Sequence, residues 1–300
     1  INGMTLSPSN PVYGLNALGG AVSIEMKNGF NYQGAEGEIR GGSHGRVGTS
    51  VQAGGRKDNV AAYIAADAAN DNGWRDFSSS SRVRRLYFDV GARGDKTEFH
   101  LSFTGAGNRL GSVAATPVEM LNKSWSSVYT WPQSTYNQLA FLQASADYKP
   151  TDTLSVQASA YWRNFRQSHV DGNTTDAQPC AAPGLLCYGD AVTPLLDSAG
   201  NQVADIYGTN LGQIDRTWTT ANSVGGSLQA TDTSKIADHG NHVVVGASLD
   251  HGRVQFNGNS ELGTIDSNLF VTGTGVLIQA PSADLAPVDL RSTSTYAGFY

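Results

Sequence analysis

In Glu98-Phe99-His100-Leu101-Ser102-Phe103-Thr104 every second residue is apolar. Phe99, Leu101 and Phe103 share one side, and Glu98, His100, Ser102 and Thr104 share the other. A period of two places successive side chains on opposite faces of an extended chain, so this is a strand with one apolar and one polar face. A helix would need apolar residues three and four apart, and no segment of the chain sustains that spacing.

The same alternation extends outward from this stretch. Leu154, Val156, Ala158, Ala160 and Trp162 alternate with Ser155, Gln157, Ser159, Tyr161 and Arg163. Val47, Thr49, Val51 and Ala53 alternate with Gly48, Ser50, Gln52 and Gly54, and Ala35, Gly37 and Ile39 with Glu36, Glu38 and Arg40. Ten strands are expected near 33–42, 46–55, 59–69, 82–93, 97–107, 137–148, 153–166, 217–231, 242–256 and 291–300. Most are about twice the 5–6 residues typical of globular proteins, a length that suits a tilted strand crossing a bilayer.

The links between these strands alternate in length. Those at 56–58, 94–96, 149–152 and 232–241 are short, and those at 70–81, 108–136, 167–216 and 257–290 are long. Only the first, around Ser43-His44-Gly45, breaks the rule by being short. In an up-and-down barrel every second connection emerges at the same end, so short turns at one end and long loops at the other form the outer-membrane pattern.

Composition agrees. Charged residues are 15% of 300, against about 25% in an ordinary soluble domain, and glycine reaches 35. That excludes a coiled coil or helical bundle, while 9% aromatics argues against disorder. The longest apolar run, Val60 to Ala66, is far short of the roughly 18 residues of a membrane helix. A net charge of −6 without a basic stripe excludes a nucleic-acid surface. The opening residues carry no signal peptide pattern, and Ser294 to Tyr300 reads as a strand cut in mid-course, so the chain is expected to be a fragment. Cys180 and Cys187, in a Gly/Pro-rich stretch without histidines at zinc spacing, favour a disulfide and an oxidising compartment.

The opening segment differs from the rest. Asn10-Pro11-Val12-Tyr13-Gly14-Leu15-Asn16-Ala17-Leu18-Gly19-Gly20-Ala21-Val22-Ser23-Ile24 is turn-rich and ends strand-like, with Asn28-Gly29 as punctuation before the first long strand. This stretch resembles the end of the plug domain of TonB-dependent outer-membrane receptors, on Tyr13, Gly14, Asn16, Ala17, Gly19 and Gly20. Asn72-Gly73-Trp74-Arg75-Asp76 is similar to that family's first long external loop. The resemblance implies an all-β fold: a transmembrane antiparallel β-barrel, about ten of an expected 22 strands, preceded by the C-terminal end of a plug domain. Residues 1–29 would be plug and 30–300 the N-terminal part of the barrel. It further implies an energised outer-membrane receptor for a scarce ligand, foremost a ferric siderophore, with the inner-membrane TonB complex and outer-membrane lipid as partners. No catalytic residue, cofactor or resident metal is expected. A passive porin-like channel or a β-rich surface adhesin is the alternative; residues 1–27 argue against the first, and the lack of repeats against the second.

Three further motifs each admit two readings. Gly41-Gly42-Ser43-His44-Gly45 matches a nucleophile elbow, but a strand follows instead of a helix, which favours a hairpin turn. Asp171-Gly172-Asn173-Thr174-Thr175-Asp176 has oxygen donors but lacks calcium-loop spacing and reads as a solvated loop, with His169 exposed beside it. Trp125, Tyr129, Trp131, Tyr136 and His169 are the candidate ligand-binding residues in the external loops; Trp131 is the best of them because Pro132 stiffens its loop. Membrane-interface packing competes with that role, and suits Trp162 and Trp218. Arg84, on an apolar face near the external end, fits a snorkelling side chain. Glu36, Glu38, Arg40, Arg85, Asp89, Glu98 and Arg163 are expected to face the lumen as a hydrated wall.

Overall fold

The structure, a computed structural model, describes residues 3–7, 21–77, 79–111, 115–235, 237–279 and 287–300. The plug-motif residues Tyr13, Gly14, Asn16, Ala17, Gly19 and Gly20 lie outside the described residues. In chain order the strands are β1 (Gly3–Ser7), β2 (Ala21–Glu25), β3 (Gly34–Gly41), β4 (Val47–Lys57), β5 (Val60–Asp71), β6 (Ser81–Arg93), β7 (Thr97–Gly111) and β8 (Gln133–Tyr148). Then follow β9 (Leu154–Thr174), β10 (Ala177–Pro179), β11 (Leu186–Tyr188), β12 (Leu196–Asp197), β13 (Leu211–Asp232), β14 (Val243–Ile265), β15 (Val271–Gln279) and β16 (Val288–Phe299). One helical turn, Val118–Leu121, interrupts the strand succession.

All ten strands expected from the alternation are present. They form one antiparallel sheet in which β3 to β9, then β13, β14 and β16, pair in sequence order. Among the described residues the sheet is not closed. The short connections are 58–59, 94–96, 149–153 and 233–242; the long ones, 72–80, 112–132, 175–210 and 266–287, lie at the other end. The exceptional link between β3 and β4, residues 42–46, closes in a two-residue turn at His44 and Gly45. His44 (φ 57°) and Gly45 (φ 66°) both have positive φ, and the Arg46 amide donates to the Ser43 carbonyl at 3.2 Å. That is the turn whose twist matches a hairpin, so Ser43 is a turn residue.

Several strands run further than the alternation indicated, three of them by more than a few residues. β9, β13 and β14 have 21, 22 and 23 residues, and their pairing continues through Thr174↔Gly212 and Leu211↔Thr264. Asp171 to Thr174 therefore belong to a strand, not to a loop, and so does His169. Polar residues on both sides gave these extensions no period-2 signal, but backbone pairing does not depend on side-chain polarity.

The two faces of the sheet differ as the alternation requires. Residues 26–33 lie across the polar face: Lys27 Nζ donates to Gln52 Oε1 at 3.1 Å, Tyr32 packs edge-on to Tyr63 and Phe30 edge-on to His100. The opposite face leaves Val51, Ile64, Phe88, Leu101, Leu142, Trp162, Val224 and Leu249 exposed. Accessible surface totals 17,866 Å², against about 12,000 Å² for a compact soluble protein of this mass. Among the described residues the buried apolar cluster is not in the sheet centre. It lies at the long-loop end, where Leu186, Leu195, Val203, Leu211, Leu262 and Ile278 pack together.

Candidate functional site

At the long-loop end two structured units stand above the sheet. The first is residues 175–210. Cys180 and Cys187 are disulfide-bonded with Cα atoms 5.0 Å apart. β10 pairs with β11 inside this segment, and β12 pairs with β15 from the next long loop. Leu186 and Leu195 are fully buried, and burying an aliphatic side chain contributes about 1.5–3 kcal/mol each. The segment is thus a folded cap with its own core. Two turns at its surface are set by carboxylates. Asp190 accepts from the Val192 amide at 2.8 Å and the Thr193 hydroxyl at 3.0 Å, and Asp197 from the Ala199 and Asn201 amides at 2.9 and 2.8 Å. Backbone amides of Thr193 and Asn201, foremost, hold these two carboxyls below the usual carboxylate range.

The second unit is aromatic and joins three loops. Trp131 stacks on Phe77 with ring centres 4.8 Å apart and planes 1° from parallel, and packs against Phe270 at 4.5 Å. Its indole N–H donates to the Asn268 carbonyl, its amide to Leu269, and its carbonyl accepts from Val271. Arg75 reaches across to Thr116 Oγ1 and the Ser127 carbonyl, and the Asp76 amide donates to Ser126. The described residues 72–77, 115–132 and 266–270 of these three loops are therefore knitted into one surface. On it Phe77 is exposed, and so are Trp74, with the Arg75 guanidinium 5.0 Å from its ring centre, and Trp125 in the same loops. Such a surface offers flat apolar area with few rotatable bonds, which suits capture of a planar or aromatic ligand.

The candidate residues separate in space. Trp131 is central to the aromatic unit, and Tyr129 precedes it in the same loop. Trp125 is 76% exposed. Tyr136 lies in β8, on the bare face with Leu142, where the Arg109 guanidinium sits 5.3 Å from its ring centre. His169 lies in β9, its Nδ1 2.8 Å from Thr135 Oγ1. Neither Tyr136 nor His169 belongs to a loop. Phe77 and Phe270 carried no sequence signal, because they lie about 54 and 139 residues from Trp131 along the chain.

On the polar face the charged residues are paired with one another. Arg40 pairs with Glu38 and Asp67 at 3.1 and 2.9 Å, and Arg85 with Asp67 at 3.0 Å. Glu98 takes a two-pronged contact from Arg93, and His100 bridges Glu98 and the 2%-exposed Asp89 at 3.0 Å each. Arg163 donates to Ser223.

No family model matches the sequence, and no curated protein matches it. Solved structures do match. The ferric citrate transporter FecA in its unliganded form aligns with 88% of this chain and 33% of its own, at 10% identity and a TM-score of 0.58. The ferric-catecholate import receptor Fiu from E. coli K12, in an open form, aligns with 99% of this chain and 56% of its own, at 11% identity and a TM-score of 0.50. The chain thus spans a third to just over half the length of these receptors. Its fold is like that of these two receptors: an antiparallel sheet of barrel type, not closed among the described residues.

Proposed function

We propose that the chain is part of an energised outer-membrane receptor that captures a ferric siderophore outside the cell and delivers it to the periplasm. The observation that carries this reading is the asymmetry of the sheet. Turns of a few residues occupy one end, and a cored cap with an aromatic surface occupies the other. The bare apolar face would meet lipid and the polar face would line the lumen. Residues 26–33, lying on the polar face, would be the strap by which an upstream plug joins the wall. Ligand would be held by the loops around Trp131, and an inner-membrane TonB complex would supply the pull that opens the lumen. No covalent step is involved. The ferric-ligand class is suggested by what FecA and Fiu carry.

The test is uptake of iron-loaded citrate and catecholate siderophores by cells expressing the full-length gene. Uptake should stop when the proton-motive force is collapsed, and Trp131→Ala should weaken capture of the transported ligand. Transport that survives collapse of the force rules out the energised receptor.

A further inference from the structure

The bare apolar face is interrupted by an unpaired cluster of positive charge. Arg82, Arg84 and Arg109 share the face of Phe88, Leu101 and Phe103, at the long-loop end of β6 and β7. In the register Arg82 stands directly opposite Arg109, and Arg84 is opposite Gly107 and diagonal to Arg109. Like charges directly opposite on adjacent strands destabilise a sheet unless something of the other sign lies between them. Among the described residues none of the three has a carboxylate within ion-pair distance. Arg84 donates only to the Ala69 and Val83 carbonyls and to Asn70 Oδ1, and Arg109 lies over Tyr136. Asp67 on β5 and Asp89 on β6 both face the other way, Asp67 paired with Arg40 and Arg85 and Asp89 with His100.

Below this cluster the same face is hollowed. Val51, Ala66, Ala68, Leu86, Gly105 and Gly107 line an open groove of about 430 Å³, to which Arg84 and parts of Asp67 and Arg85 also contribute. The groove exists because Ala66, Ala68, Gly105 and Gly107 are small where the next row of the same face carries Ile64, Phe88, Phe103 and Leu142. From Arg84 to Ala92 is eight residues of β6. At about 3.4 Å per residue and a barrel tilt of about 35–45° that spans about 20 Å of depth, close to the height of a barrel's apolar band. The arginines therefore stand at one rim of the band.

We infer that Arg82, Arg84 and Arg109 bind the phosphate of an anionic lipid headgroup in the outer leaflet, with an acyl chain of that lipid in the groove beneath. Guanidinium forks match phosphate oxygens in pairs, a rim arginine keeps its stem in the apolar region, and the small-residue groove receives the chain. This rests on the outer-membrane reading above, since it requires the bare face to meet lipid.

The full-length protein is reconstituted with two lipids of identical chains, phosphatidic acid and phosphatidylcholine, and lipid retention is read by native mass spectrometry. In parallel, tryptophan quenching by chain-brominated phosphatidylcholine reports whether Trp162 and Trp218 contact lipid. Phosphatidic acid should be retained on the order of tenfold more tightly than phosphatidylcholine. Arg82→Gln/Arg84→Gln/Arg109→Gln should abolish that preference, while Arg56→Gln on the polar face should keep it. Quenching should persist in the triple variant, showing that the barrel stays in the bilayer. Equal retention of the two lipids, or an unchanged preference in the triple variant, overturns the arginine site alone. Absence of quenching in the unaltered protein overturns the membrane reading, and the lipid site with it.

Discussion

A Cβ built on Gly91 would lie 2.7 Å from His100 Cε1 and 2.8 Å from Phe30 Cε2. That missing atom lets the strap lie flat on the wall. Phe30 meets the His100 ring edge-on at 5.9 Å and receives the Arg93 guanidinium over its face at 4.2 Å, while Arg93 also grips Glu98. An aromatic pair contributes about 0.5–1.5 kcal/mol and a cation over a ring about 0.5–1 kcal/mol. Gly91→Val should therefore lift the strap, and amine modification of Lys27 should speed up by on the order of tenfold. Unchanged reactivity at Lys27 would show that the strap is held elsewhere. At this scale the sequence was partly legible. Asp89, Glu98 and Arg85 could be assigned to the polar face from parity alone. Phe30 could not, because an aromatic residue between two elements has no period to read.

Among elements, the cap of residues 175–210 contrasts most with the sequence reading, which had only a long loop closed by two cysteines. Its signal was absent for a physical reason: β10, β11 and β12 have three, three and two residues, too short for any periodicity to emerge. Its core is completed by Leu211, Leu262 and Ile278 from β13, β14 and β15. Leu195→Ala should cost about 2–5 kcal/mol of cap stability, seen as faster proteolysis within 175–210 with the sheet unaffected. A proteolysis rate equal to the parent's would mean the cap is not held by its core. Acid acts on the same unit with a definite sign. Asp190 and Asp197 are held below the usual carboxylate range, so they stabilise the folded turns above the unfolded carboxyl value of about 3.9. That contribution is lost as pH falls through their lower folded values. Amide exchange of Thr193 and Asn201 should match at pH 7 and pH 5 after correction for intrinsic rates, and protection should fall only in stronger acid. Loss of protection already by pH 5 contradicts the assignment.

For the molecule as a whole, the sheet is inside out relative to a soluble domain. Exposed Ile39, Val60, Phe99, Leu228 and Val245 would bury in a soluble sandwich, and here none of the described residues covers them. The protein should sediment as a single small species only with detergent, and aggregate when detergent is removed. A monodisperse detergent-free monomer would contradict that account of the face. What the sequence determined was the strands, their antiparallel order and the contrast of the two faces, because each follows from a period of two and from link length. What tertiary structure decided was the meeting of Phe77, Trp131 and Phe270, the core of the cap and the arginine cluster on the apolar rim. These depend on cross-strand register and on loops folding back over one another, and neither leaves a periodic trace in a single chain of residues.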